Sequence, residues 1–415
     1  MKKITITNAY TWYNKGDAGI LLGIVETLKK IYNNDVEFTI LSFTPDEDRK
    51  RYCEDSSIKN VYSNILNPHP YKHTKTGKII AIFKLFFKML KLQFLMKFNF
   101  KKTIKNDEIL NALNKSDIII VCGGGFLGGK KFDSLQHLYQ IYINTKFNKP
   151  VYLMGTSIEP IKNKIIKYFT EKILKKLDYI FARETITEKY LSEFMPKDKY
   201  TLIPDMAFML ENAKIEFPFV EELRNNSNVL IGITMRNWNF PNVQDKTRAK
   251  ENYINQMKDF MEHYIETKDA IFIFIPQVIV SYASDTDIAV EIKNKMQAKY
   301  KNNFIIRNDD WSPLEIKALI GNLDFFVGTR MHSNIFATSM YVPTLAIAYE
   351  KKTNGIMETV RQEEYIEEID NINSESMKKK FNKLIENKDK VHEELIKERK
   401  RITEEIMTKT KIIFK

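Results

Sequence analysis

The residues best equipped for chemistry lie between Val327 and Lys352. An apolar strand, Asp324–Val327, turns at Gly328. Arg330 and His332 follow at once, where a helix should begin. A second apolar strand, Pro343–Ala348, ends on Tyr349, Glu350, Lys351 and Lys352. Two strand ends therefore bring a guanidinium, an imidazole and an ammonium to one rim. Cations hold an anionic substrate. An imidazole titrates near neutral pH and both donates and accepts protons within one cycle. His332 is thus the expected general acid or base, with Arg330 and Lys352 holding down its affinity for a proton. The bland alternative is a histidine that merely opens a helix. The other histidines, His69, His73, His137, His263 and His392, lack such company, and metal-ligand spacing is not met.

Other candidates stand at other strand ends. Asn14-Lys15-Gly16-Asp17 follows the first strand and opens a helix, so Gly16 permits a tight turn and Asp17 is expected to cap. Such a helix start can also face an anion, with Asp17 as a second acid or base. Gly123-Gly124-Gly125 is expected to end the strand Asp117–Cys122, where three backbone N–H groups could cradle phosphate or carboxylate. It fits neither a Walker loop nor a dinucleotide fingerprint. Arg183 follows the strand Tyr179–Ala182, and Arg236 follows Val229–Met235. Both are expected to grip anions, although Glu184 could neutralise Arg183.

Elements must exist to position these groups. The chain has 415 residues, too many for one ordinary core, and its 43% hydrophobic content is that of a globular protein. The first half alternates strands (Lys3–Ala9, Glu37–Phe43, Asp117–Cys122, Pro150–Gly155, Tyr179–Ala182) with helical patterns, which predicts a parallel sheet covered on both faces. After a polar connector near Met209–Asn228 the alternation restarts, with strands at Val229–Met235, Ala270–Pro276, Phe304–Arg307, Asp324–Val327 and Thr344–Ala348. Two α/β domains are predicted, residues 1–210 and 211–370. A charged helix at 371–415 is expected to continue from them and to return onto the first domain. Ligands in such sheets bind beyond the carboxyl ends of strands, so a site in the cleft between the halves is expected.

Two cysteines exclude a disulfide scaffold and suit a reducing cytosol. Met1–Asn8 reads as a strand and lacks the apolar core of a signal peptide. No apolar run reaches the ~18–20 residues that span a bilayer. The net charge of +12 reflects lysine-rich composition throughout or an anionic partner, and nucleic-acid motifs are absent. One insertion, Lys78–Lys102, mixes many Ile, Leu, Phe and Met residues with Lys84, Lys88 and Lys91 on one helical face. It reads as a helix lying in an anionic membrane surface, or else as a core helix or oligomer contact.

Taken together, Asn14-x-Gly16-Asp17, the glycine triplet, Arg183, Arg236, Gly328-x-Arg330-x-His332, Pro343 and Tyr349-Glu350-x-Lys352 resemble the polysaccharide pyruvyl transferase family, over roughly residues 4–365. The resemblance implies two Rossmann-like domains arranged as in GT-B glycosyltransferases, with a cleft. It implies transfer of pyruvate from phosphoenolpyruvate to two hydroxyls of one sugar, forming a ketal in a bacterial surface polymer or its lipid-linked precursor. His332 then matches the catalytic histidine, and Arg183, Arg236 and Lys352 match residues that bind the donor anion. No cofactor or metal is implied, and the expected location is cytoplasmic, peripheral at the inner face of the membrane. Gly19 and Glu350 stand where the family commonly has alanine and aspartate, and the Lys78–Lys102 insertion is not a general feature. Competing readings are a GT-B glycosyltransferase using a nucleotide sugar, and a membrane-associated glycan-binding assembly protein without catalysis.

Overall fold

The computed structural model describes residues 1–66, 75–128, 133–225, 229–279 and 284–414. His69 and His73 lie outside these residues. The first sheet comprises β1 (Lys2–Ala9), β2 (Val36–Ser42), β3 (Ile58–Ser63), β4 (Ile118–Leu127), β5 (Val151–Ile158), β6 (Tyr179–Ala182) and β7 (Tyr200–Leu202). Its order is β3-β2-β1-β4-β5-β6-β7, and every pairing is parallel. The second comprises β8 (Val229–Thr234), β9 (Ala270–Phe274), β10 (Phe304–Ile306), β11 (Phe325–Gly328), β12 (Thr344–Ala348) and β13 (Ile366–Glu368). Its order is β10-β9-β8-β11-β12-β13, again all parallel. In each sheet the order reverses about the first strand, so a switch point falls between β1 and β4 and between β8 and β11.

A parallel strand is buried on both faces, and the sequence obeys that rule. Ile118, Ile119, Ile120, Val121 and Cys122 of β4 are all buried, as are all five residues of β9 and of β12. The helix Lys15–Ile31 buries Ile20, Leu21, Ile24, Val25 and Leu28, a stripe at helical spacing. The predicted terminal helix is two, Ser374–Glu386 and Lys388–Phe414, with Asn387 at the break.

Contacts divide the chain into two units. The first holds Met1–Trp12, Ile20–Met206 and the residues from Thr408; the second holds Tyr13–Gly19 and Ala207–Met407. Within the first unit, Phe414 packs its ring against Tyr152 and Phe181, and its carbonyl accepts from the Tyr32 hydroxyl. The first turn of the helix Lys15–Ile31 groups with the second unit, not with the strand that precedes it.

A buried polar network closes the carboxyl end of β1. Asn8 adopts a left-handed φ of 61° and donates from its amide to Nδ1 of His137 at 3.0 Å and to the His137 carbonyl at 3.3 Å. The imidazole stacks on Phe126, with Phe43 at its edge. A ring so enclosed, with Nδ1 accepting, is held neutral, and burial pushes His137 down from 6.5 to about 3. The unfolded chain therefore binds a proton that the folded chain refuses between those values. This contribution is present above the unfolded value and is lost as pH falls toward the folded one, to a total of roughly 5 kcal/mol at ~1.4 kcal/mol per unit. Denaturant unfolding between pH 7 and 4 should show wild type losing stability more steeply than His137→Gln. Parallel slopes for the two proteins would contradict the assignment.

Candidate active site

The switch point of the second sheet gathers the expected groups. β8 runs on into Met235 and Arg236, β11 into Thr329, Arg330 and the helix Met331–Ser339, and β12 into Tyr349. The β11 turn is fastened to β8. Thr329 donates from its backbone to the Thr234 hydroxyl and from its own hydroxyl to the Thr234 carbonyl, at 3.0 and 2.9 Å. Ser333 bonds the Thr234 hydroxyl at 2.9 Å and the Arg330 carbonyl at 2.6 Å. These bonds fix the turn that carries His332. Gly328 has no alternative there, because a Cβ would overlap the buried Asn334 side chain.

The segment Tyr13–Gly19 completes this cluster. Asn14 forms an antiparallel bridge with Val278, and Lys15 donates its backbone N–H to the Gln277 carbonyl at 2.9 Å. The Lys15 side chain is fully buried, with its ammonium 2.6 Å from the Asp310 carboxylate. A Cβ at Gly16 would overlap Nδ1, Cγ and Cβ of His332. Gly16 is therefore the residue that lets the helix start lie against the imidazole. At Gly19 a Cβ would come within 2.9 Å of the Phe336 ring, on the helix that bears His332. The motif near the N-terminus and the histidine motif more than 300 residues later form one constellation.

Several expected roles need correction. The helix begins at Lys15, so Asp17 is not its cap; it sits in the first turn and accepts a hydrogen bond from the Asn14 side chain. Arg330 does not present an open fork. Its Nε lies 3.1 Å from both carboxylate oxygens of Asp285, and Nη2 bonds Oδ1 as well. Burial pulls this guanidinium down, yet the Asp285 carboxylate outweighs it and holds the group above its ordinary range. Burial likewise pushes the Asp285 carboxyl up, against the pull of Arg330 and the N–H groups of Gln277 and Val278. Arg236 is different. Its guanidinium lies 4.2 Å over the Tyr349 ring and 4.9 Å over the Trp238 ring, half-buried, and among the described residues no carboxylate pairs with it. Lys352 is half-buried in the first turn of the helix Lys351–Thr359.

Gly123, Gly124, Gly125 and Arg183 belong to the first unit. The triplet does not end its strand, because β4 continues to Leu127. A Cβ at Gly123 would overlap the carbonyls of Met154 and Gly155 on β5, so this glycine serves close strand packing. Gly124 takes φ 149° and pairs with Thr156; Gly125 alone of the three is exposed. Arg183 is buried, with Nη1 2.8 Å from Asp205 and Nε and Nη2 on the Ser157 hydroxyl at 3.1 and 2.7 Å. It is Asp205, and not the neighbouring Glu184 at 3.7 Å, that chiefly balances its charge.

Lys15, Asp285, Gln277 and Asp310 were not legible as site residues. Lys15 sat inside a recognised motif with no role assigned to it, and only the fold buries it. Gln277 carries a buried amide whose nitrogen and oxygen have no hydrogen-bond partner among the described residues.

Two parallel sheets with ligand-side loops at their switch points define an α/β protein of the GT-B-like class. Comparison with solved structures agrees. A putative UDP-N-acetylglucosamine 2-epimerase from Listeria monocytogenes superposes with TM-score 0.58 at 13% identity, covering 95% of this chain and 90% of that one. UGT73P12 of Glycyrrhiza uralensis gives 0.58 at 9% identity, covering 97% and 92%. These likenesses concern the fold alone. Residues 14–351 match the polysaccharide pyruvyl transferase family, and the chain belongs to that family of enzymes. A relative, the amylovoran biosynthesis protein AmsJ of Erwinia amylovora, is 23% identical over 409 residues and 94% of each chain.

With His332 in the proton-transfer role proposed below, Gly16→Ala should lower turnover by about 100-fold or more, since displacing such a group by roughly 1 Å costs that much. Circular dichroism should show the fold retained. Turnover within twofold of wild type would mean that the contact with His332 does not matter.

Proposed function

We propose that this chain transfers pyruvate from phosphoenolpyruvate to two hydroxyls of a sugar, in a bacterial cell-surface polysaccharide or its lipid-linked precursor, and so forms a pyruvate ketal. The observation that carries this reading is the helix start of Asn14, Gly16 and Asp17 packed on His332 within a chain of this family. The donor bears a carboxylate and a phosphate, and Arg236 and Lys352 are the cations we assign to them. Arg330 acts through Asp285 to hold the turn in place, as a positioning residue. Asn14 orients Asp17, the second acid or base candidate. In the first unit, Gly125 is the exposed member of its triplet, and Arg183 braces Ser157.

The chemistry closes without a cofactor. A proton adds to the methylene carbon of phosphoenolpyruvate and makes C2 electrophilic. Each of two sugar hydroxyls forms a bond to C2, and the C2–O bond to phosphate breaks. Of the two hydroxyl protons released, one balances the proton gained by the methyl carbon and the other leaves with phosphate. His332 is the group we assign to proton delivery or removal. Fixed cations stabilise the departing phosphate.

Placement at the inner face of the cell membrane belongs to the same proposal. Among the described residues no helix is long and apolar enough to cross a membrane. The helix Lys75–Phe98 instead exposes Phe83, Phe87, Leu90, Phe94 and Phe98 along one stripe, with Lys84, Lys88 and Lys91 also exposed.

Phosphoenolpyruvate should raise the thermal unfolding midpoint, whereas UDP and GDP should leave it unchanged. Stabilisation by UDP alone would favour a nucleotide-sugar transferase. His332→Ala should lose at least ~10²-fold in turnover while retaining donor binding; unchanged turnover would remove it from the mechanism. Arg236→Met should raise KM for the donor by about tenfold or more and leave the unfolding midpoint within a few degrees. An unaltered KM would count against its assignment to the anion.

A further inference from the structure

The carboxyl-terminal half of the helix Lys75–Phe98 does more than expose a stripe. With Phe100 and the end of the helix Asp133–Asn144 it walls a groove of about 910 Å³. The apolar lining includes Leu90, Phe94, Met96, Phe98, Tyr142 and Ile143. Gln93 and three lysines, Lys91, Lys97 and Lys146, complete it, and no Asp or Glu contributes. All of these residues belong to the first unit.

The walls are anchored at the base and open at the rim. Met89 and Leu92 pack on the core, and the Tyr139 hydroxyl donates to the Met89 carbonyl at 2.9 Å. Phe94 and Phe98 remain 61% exposed, although their rings lie 4.6 Å apart. Lys146 stands 4.5 Å over the Tyr142 ring, and Lys97 5.4 Å over Phe98. Among the described residues none of the three lysines has a carboxylate partner, so their charge is uncompensated. From Leu90 to Phe98 the helix rises roughly 12 Å.

A convex apolar stripe suits a bilayer surface, but a concave groove of this size suits one small ligand. An apolar floor with unpaired ammonium groups at its edge demands an amphiphile whose head is anionic. We propose that this groove binds a single hydrocarbon chain bearing a phosphate head, the chain lying along Leu90, Phe94, Met96 and Ile143 and the phosphate meeting Lys91, Lys97 and Lys146. This deepens the proposal of a lipid-linked acceptor by naming where its lipid portion docks. It does not depend on pyruvyl transfer, because the binding is measurable without turnover.

Isothermal titration with n-alkyl monophosphates of eight, ten and twelve carbons, held below their critical micelle concentrations, tests it. Dodecyl phosphate should bind saturably at one site per chain. Affinity should rise with chain length, toward roughly fourfold for each methylene that is buried. Dodecanol should bind at least tenfold more weakly, and inorganic phosphate should not compete at equal concentration. The surface triple variant Lys91→Glu, Lys97→Glu, Lys146→Glu should lose at least tenfold, with the unfolding midpoint checked to confirm folding. Leu90→Asp with Phe94→Asp, both at exposed positions, should abolish the chain-length dependence. Saturable binding unaffected by either variant would overturn the assignment. So would equal affinity for inorganic phosphate, or binding to phosphatidylglycerol vesicles with none to the monomeric amphiphiles. That last result would leave the stripe a surface contact and would not touch the catalytic reading.

Discussion

The contact between Gly16 and the His332 imidazole is the constraint on which the rest of the second unit's site depends. A helix start carries unpaired N–H groups and partial positive charge. Bringing it against an imidazole needs a residue without a Cβ, and only glycine meets that demand. The approach is held from both sides. The bridge from Asn14 to Val278 and the bond from Lys15 to Gln277 fix the helix start, while Thr234, Thr329 and Ser333 fix the turn that bears the histidine. The bond from the buried Lys15 ammonium to the partly exposed Asp310 adds a charge-assisted contact, and losing it would leave the lysine buried without that carboxylate. Two segments far apart in the chain thus act as one support, which is what the proton-transfer role proposed for His332 requires.

Charge balance separates supporting residues from those able to meet a substrate. Arg330 is engaged by Asp285, and Arg183 by Asp205 and Ser157. A guanidinium buried with its carboxylate keeps its charge and its orientation, but its donors are already committed. Arg236 lies against ring faces and bonds the Tyr349 hydroxyl, which orients the cation with no carboxylate paired to it among the described residues. The same distinction holds on a larger scale at the groove of the first unit, where Lys91, Lys97 and Lys146 border apolar surface with no acidic group among the lining residues.

Much of this was legible before the fold was seen. The apolar runs of β4, β9 and β12 announce buried parallel strands because their period leaves no polar face. The segment from Gly328 to Lys352 announces a site because reactive types cluster where a strand gives way to a helix. What escaped reading depends on distant contacts. β3, β7 and β13 are short and polar on one side, and neighbouring strands, not their own composition, make them strands. The glycine triplet suggested a phosphate cradle, but the carbonyls of β5 claim the space beside Gly123. Asp285 and Asp205 gave no local sign of being the partners of Arg330 and Arg183. Nothing in the order of residues shows that Tyr13–Gly19 groups with the second unit.

A double-mutant cycle in turnover between Gly16→Ala and His332→Ala tests the central claim most directly, because coupling appears only between residues that act together. If Gly16 serves catalysis by seating the imidazole, Gly16→Ala should cost little further once His332 is alanine, and the two losses should be far from additive. Losses that multiply independently would contradict the account, since Gly16 would then act through something other than His332.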